Sequence, residues 1–201
     1  MAEPLTSTLA VLGGYASGSV PYGLLLVRFR RGVDVREVGS GNIGATNVAR
    51  AGGWRLGAVV LLLDALKAAL PVHAALRLLP GEAWLHAAVG MAAFLGHLFP
   101  VWLRFRGGKG VACAVGALAV LAPWAALAGA CAWGPLLWRT RVMSVSSLAG
   151  AVAAVGAGVG LAAAGRAPWA YAWLGAAFLL AMLWTHRDNL QRLRKGRELR
   201  A

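Results

Sequence analysis

The sequence predicts an all-α integral membrane protein, a polytopic bundle of seven helices in which five span the bilayer fully and two are short. Three observations predict it. The 201-residue chain is 59% hydrophobic and only 13% charged, too little polar surface to clothe a soluble domain of this size. Most of its apolar runs approach the ~20 residues that cross ~30 Å of hydrocarbon. Its basic residues collect at alternate ends of those runs, which is the positive-inside pattern. Residues 1–201 are read as a single transmembrane domain.

The elements follow in order. The first span, 5–27, runs from outside to cytosol; the preceding Met1-Ala2-Glu3-Pro4 lacks the basic region of a cleavable signal peptide. Arg28, Arg30, Arg31, Arg36, Arg50 and Arg55 follow it. The second span, 56–79, returns outward and carries Asp64 and Lys67. Intramembrane charges are expensive and are usually paired or functional; a mutual ion pair facing the bundle interior is the reading adopted. The third span, 83–103, comes back to Arg104, Arg106 and Lys109. The segment 111–138 has basic flanks, Lys109 and Arg139, and Pro123 near its middle. It is too short for two crossings at 1.5 Å per residue. It is expected to form two short helices, broken near Ala122-Pro123, that enter and leave on one side. Span 142–164 then goes out and 169–184 comes in. The N-terminus is outside and the C-terminus cytosolic, with Ser40, Lys109 and Ala201 facing the cytosol.

The net charge of +13 is on this reading mostly topological, with some attraction for anionic headgroups, and does not signal nucleic acid. The basic tail, 189–200, reads either as a short interfacial helix or as a solvated tail. Cys113 and Cys131 lie in apolar sequence and read as buried free thiols. The histidines have no ligand spacing and acids are few, so neither a metal nor another cofactor is expected.

Three polar blocks interrupt the hydrocarbon. The first is Gly39-Ser40-Gly41-Asn42-Ile43-Gly44-Ala45-Thr46-Asn47-Val48-Ala49-Arg50. It contains the letters of a dinucleotide fingerprint, but that motif needs a preceding strand and here a membrane helix precedes it. Repeated glycine lets backbone amides converge on an anion. Ser40, Asn42, Thr46 and Asn47 add neutral donors, and Arg50 offers a bidentate fork to phosphate. The plain alternative is an ordinary turn-rich loop. The second block runs from Gly96-His97-Leu98-Phe99-Pro100 to Gly107-Gly108-Lys109-Gly110. It is not a Walker A loop, yet it pairs exposed amides with a point charge; the plain alternative is a glycine turn with a topology anchor. The third is His186-Arg187-Asp188-Asn189, with Ser144, Ser146 and Ser147 before the sixth helix. His186 and Asn189 are three apart and share a helix face. His97 and His186 also read as structural hydrogen bonders near helix ends. Because all three blocks fall on one side of the membrane, they suggest one composite site for a phosphorylated substrate beside lipid.

These residues resemble the bacterial membrane glycerol-3-phosphate acyltransferases that use acyl phosphate as donor, the PlsY family. Gly18-Ser19-Val20-Pro21-Tyr22-Gly23, Asp34-Val35-Arg36 and 39–50 look like its first motif region. The stretch from Gly96 to Gly110 looks like its second, and His186 to Glu198 like its third. Ser144-Val145-Ser146-Ser147 resembles the family's serine-containing stretch. Cys113 stands where Thr is common and Asp188 where Glu is common. The resemblance implies a fatty acyl transfer from acyl phosphate to the 1-hydroxyl of glycerol 3-phosphate, giving lysophosphatidic acid and phosphate. It implies a bacterial inner-membrane enzyme with a cytosolic active site and a transient contact with the soluble enzyme that makes acyl phosphate. Matched by motif, Ser40, Arg50, Lys109, His186 and Asn189 are the expected catalytic residues. Gly39, Gly41, Asn42, Gly44, Thr46, Asn47, His97, Gly107, Gly108, Gly110 and Ser147 are the expected substrate-binding residues.

No histidine is followed five positions later by aspartate, so the His-x4-Asp dyad of other glycerolipid acyltransferases is absent. The donor is already activated, so positioning and electrostatic stabilisation supply most of the required work. Direct attack by the glycerol hydroxyl is expected, with a substrate phosphate taking the proton and His186 donating a hydrogen bond. His186 as general base is the rival. The alternative from another class is a transporter for a phosphorylated anion.

Overall fold

The computed structural model describes residues 3–200. Met1, Ala2 and Ala201 lie outside them, and so does the expected cytosolic position of Ala201. All regular structure among the described residues is helical. Two compact units part between Ala117 and Leu118.

In the first unit the expected opening span, 5–27, is two helices, α1 (Pro4–Gly18) and α2 (Tyr22–Arg31). Pro21 lacks the amide proton that would continue the ladder, and its ring clashes with the carbonyl four residues back. After a 3₁₀ turn at Val35–Glu37 come α3 (Ala45–Gly52), α4 (Trp54–Leu78) and α5 (Ala83–Leu98). The second half of the first polar block is thus helix, not loop. α1 packs on α5 and α4. Small residues allow that approach: a side chain on Gly18 would overlap the Ala93 backbone. Leu24, Val27, Val35, Ile43, Val48 and Val60 form one apolar cluster, and Leu103 packs against it. Each fully buried aliphatic side chain here contributes about 1.5–3 kcal/mol relative to exposure in water. The cluster therefore ties the turn before the first block, the block itself and the segment leading to the second.

α6 (Val111–Leu121) straddles the boundary between the units. It stops where expected, at Ala122, because Pro123 starts α7 (Pro123–Thr140). α7 has 18 residues, about 27 Å at the helical rise, and is longer than the short helix expected there. The second unit continues with α8 (Met143–Ala163), α9 (Trp169–Thr185) and α10 (Arg187–Arg194). α8 turns Ser147, Gly150, Ala154, Gly158 and Ala162 inward. A Cβ on Gly129 of α7 would lie 2.9 Å from the Gly150 carbonyl oxygen, and one on Gly150 the same distance from that of Gly129. Such small-residue seams let membrane helices meet backbone to backbone.

Among the described residues, four segments are long and apolar enough to cross a membrane: Pro4–Arg31, Trp54–Leu78, Ala83–Leu103 and Met143–Ala163. A fifth was expected at 169–184; α9 is apolar but has only 17 residues. Trp54, Trp84, Trp124, Trp138, Trp169 and Trp184 lie near helix ends and are exposed, the distribution of an interfacial aromatic belt. The tail resolves as α10, a short helix. Cys113 is buried, as expected, but Cys131 is exposed on α7, where an apolar side chain meets lipid at no cost.

Candidate active site

The first polar block is a loop braced from within. Asn47, 1% exposed, donates through Nδ2 to the carbonyls of Val35 at 2.9 Å, Val38 at 2.8 Å and Asn42 at 3.0 Å. Its Oδ1 accepts from the Ser40 amide at 2.9 Å. Asn42 Oδ1 accepts from the Gly44 amide at 2.9 Å. Both asparagines were expected to meet substrate; Asn47 instead spends its polar atoms shaping the backbone. Gly39 has φ +58°, and a Cβ there would collide with Asn47 Oδ1 and lie 3.5 Å from Arg50 Cδ. The Arg50 stem thus passes over the Gly39-Ser40 turn. Ser40 is half-buried, and Arg50, from the last turn of α3, is exposed. Thr46 lies in the first turn of α3, and Gly41 has φ +70°.

Asp34 caps the adjoining 3₁₀ turn, accepting from the Arg36 amide at 2.9 Å, and forms a two-pronged pair with the Arg36 guanidinium, Nη2 to Oδ2 at 2.6 Å. The hydrogen bond from that guanidinium lowers the Asp34 carboxyl to about 2.

The second block folds back on the end of α5. Gly107 donates its amide to Leu98 O at 2.9 Å and Gly108 to His97 O at 3.0 Å. The sequence suggested that these amides cradle phosphate; they cap the last carbonyls of a helix instead. Glycine is needed for closeness: a Cβ on Gly107 would strike the His97 carbonyl, and one on Gly108 the His97 ring. Gly110, φ +84°, packs on Phe94. Half-buried Lys109 sits between two buried glycines, Gly108 and Gly110.

In the second unit, buried Ser144 and Ser147 lie three apart in the first turns of α8. His186 stands at the junction of α9 and α10, 3% exposed. Its Nδ1 lies 2.8 Å from Met182 O. A carbonyl only accepts, so Nδ1 carries the proton, and in the neutral ring Nε2 is the acceptor. The donor role expected for His186 therefore requires the imidazolium. Asn189 is buried and donates to Glu198 Oε1. Glu198 also accepts from Ser144 Oγ at 2.8 Å and pairs with Arg192 Nε at 3.0 Å. Burial opposes ionisation of Glu198, but hydrogen bonds from Asn189, Ser144 and Arg192 hold its carboxyl below the ordinary range. Sequence reasoning did not place Glu198 in the site. The available signal was a lone acid in a tail of arginines. By taking the amide N–H, Glu198 orients the Asn189 carboxamide.

The model of the family described as Glycerol-3-phosphate acyltransferase matches residues 8–196. A glycerol-3-phosphate acyltransferase of Myxococcus xanthus (strain DK1622) is 55% identical over 196 residues, covering 98% of this chain and 100% of that protein. One from Anaeromyxobacter dehalogenans (strain 2CP-C) is 51% identical, with 98% of each chain covered. The chain belongs to the glycerol-3-phosphate acyltransferase family. The fold agrees. The crystal structure of PlsY (YgiH), an integral membrane glycerol 3-phosphate acyltransferase, in its glycerol 3-phosphate form matches with TM-score 0.90 and 34% identity over 98% of this chain and 96% of that one. The lysophosphatidic acid form matches with TM-score 0.86 and 35% identity over 97% and 95%. The chain is thus a multi-pass membrane acyltransferase of phospholipid synthesis, and the transporter alternative finds no support among these relatives.

Proposed function

We propose that the enzyme takes its acyl group from acyl phosphate and works at the cytosolic face of a bacterial inner membrane, the whole chain acting as one acyltransferase domain. The observation that carries this reading is the Gly39-Ser40 turn, which Asn47 braces through the Ser40 amide and over which the Arg50 stem passes. A planar guanidinium beside a hydroxyl suits a phosphate oxygen pair. Lys109 supplies a second positive charge for phosphate; in the second unit, catalytic roles are proposed for His186 and Asn189 and substrate binding for Ser147. The glycerol 1-hydroxyl attacks the acyl carbonyl, the carbon–oxygen bond to phosphate breaks, and inorganic phosphate leaves. The hydroxyl proton passes to a substrate phosphate, whose second ionisation near pH ~6 makes it a competent acceptor. The related PlsY structures are a glycerol 3-phosphate form and a lysophosphatidic acid form, a substrate and product of this reaction. The soluble enzyme that makes acyl phosphate is proposed as a transient partner.

The Met182 contact favours a second reading of one step. With Nδ1 committed to a carbonyl, neutral His186 presents an acceptor at Nε2 and is equipped to take the hydroxyl proton itself. The experiment for the main reading is phosphate release from acyl phosphate by the purified protein. Release only when glycerol 3-phosphate is added supports it; glycerol-independent release, or transfer from an acyl thioester alone, rejects it.

A further inference from the structure

Asp64 and Lys67 stand one turn apart in the middle of α4 and are 2% and 3% exposed. Two opposite charges within a membrane helix could do no more than neutralise each other, but these two reach three other segments of the first unit. Lys67 Nζ lies 2.7 Å from Asp64 Oδ1 and donates to Val20 O at 2.8 Å, in the break between α1 and α2. Pro71 leaves the Lys67 carbonyl without its helical donor, and Ser17 Oγ fills that place at 2.7 Å. The Asp64 carbonyl accepts from Cys113 Sγ at 3.1 Å, at the start of α6. Asp64 Oδ1 also faces His97 Nδ1 at 3.7 Å, both atoms buried and neither in an aligned hydrogen bond. His97 in turn supports the glycine loop twice: its carbonyl accepts from the Gly108 amide, and its ring fills the space where a Gly108 side chain would stand.

We propose that Asp64, held by Lys67, is a positioning residue for the 107–110 loop and acts through the His97 ring. A carboxylate opposite Nδ1 orients the imidazole. The ring then sets how far Gly108, and hence Lys109, stands from the end of α5. The ion pair is placed in hydrocarbon because, away from water, a carboxylate holds its partner ring far more firmly than it could at the surface. The inference rests on the role proposed for Lys109: that this loop binds the phosphate of glycerol 3-phosphate through that charge, not through the capping amides of Gly107 and Gly108.

The test uses the full-length enzyme in detergent, with kinetics in both substrates and thermal unfolding read by tryptophan fluorescence. Gly108→Ala establishes what the loop does, Asp64→Asn removes the carboxylate charge at constant shape, and the two are then combined. The expected result is a ten-fold or greater rise in the KM for glycerol 3-phosphate in each single variant, with the KM for acyl phosphate within two-fold of the parent. Because both act on one loop, the double variant should be no worse than the poorer single. Should Asp64→Asn fail to insert as folded protein because Lys67 is left unpaired, Asp64→Asn with Lys67→Met removes both charges, and it should show the same selective KM rise. A folded Asp64 variant with an unchanged KM, or effects that multiply, overturns the positioning role while leaving the loop reading intact. A normal KM in Gly108→Ala overturns the loop reading and this proposal with it. Failure of both Asp64 variants to fold makes the pair a folding element and also overturns the proposal.

Discussion

Arg50 tests the proposed site at the residue scale, since Arg50→Lys keeps the charge and loses the fork. Losing a charge-assisted hydrogen bond costs roughly 1.5–3 kcal/mol, which predicts a ten- to hundred-fold fall in kcat/KM with normal membrane insertion. Near-parental kinetics would reduce Arg50 to a topology anchor. His186 separates the two proton acceptors. If it is the base, His186→Ala loses about 10²–10⁴-fold in rate, the acidic limb of the pH–rate profile disappears, and His186→Gln is no better. If it only holds substrate, His186→Gln and His186→Asn retain substantial activity. The identities of these residues were legible in the sequence, because a guanidinium or imidazole outside the hydrocarbon announces its chemistry. Their states were not. Only the 2.8 Å approach of Nδ1 to Met182 O shows which ring nitrogen bears the proton, and only the four contacts of Asn47 show that it braces a loop.

Elements carry the loop and the tail. Gly107→Ala, made as a second probe of the 107–110 loop, must push it off the end of α5, because the added methyl meets the His97 carbonyl. We expect a selective rise in the KM for glycerol 3-phosphate in steady-state kinetics; a selective rise for acyl phosphate would assign the loop to the donor. The tail is held through Glu198. Its lowered carboxyl contributes stability that is fully present above the ordinary carboxylate range, near 4.5, and is lost as pH falls below that range through the folded-state value. Glu198→Gln should therefore lower the thermal midpoint at pH 7 and flatten its fall in acid; an identical acid profile in parent and variant would exclude this role. The sequence showed Pro123 near the middle of 111–138, and the break at Ala122 followed. The split of the first span did not, because the apolar run reads straight through a proline that membrane helices often tolerate.

For the whole molecule, the charge pattern predicts that Ser40 and Lys109 face the cytosol. Single cysteines at those positions, in a background with Cys113 and Cys131 replaced, should react with a membrane-impermeant maleimide only in inverted vesicles; labelling from the outside would refute the proposed sidedness. The sequence by itself determined the membrane class, the helical architecture and the substrate chemistry. Hydrocarbon admits few backbone solutions, and phosphate demands cations and donors that stand out against alanine and leucine. Tertiary structure alone decided what each donor does. It turned Asn47 inward, spent the Gly107 and Gly108 amides on the end of α5, brought Leu103 onto the core beneath the first block, and set His97 opposite the Asp64–Lys67 pair. A polar atom's role depends on which partner reaches it first, and that partner lies 12, 9 or 33 positions away for Asn47, Gly107 and the Asp64–His97 contact — separations fixed by helix packing, which local sequence does not encode.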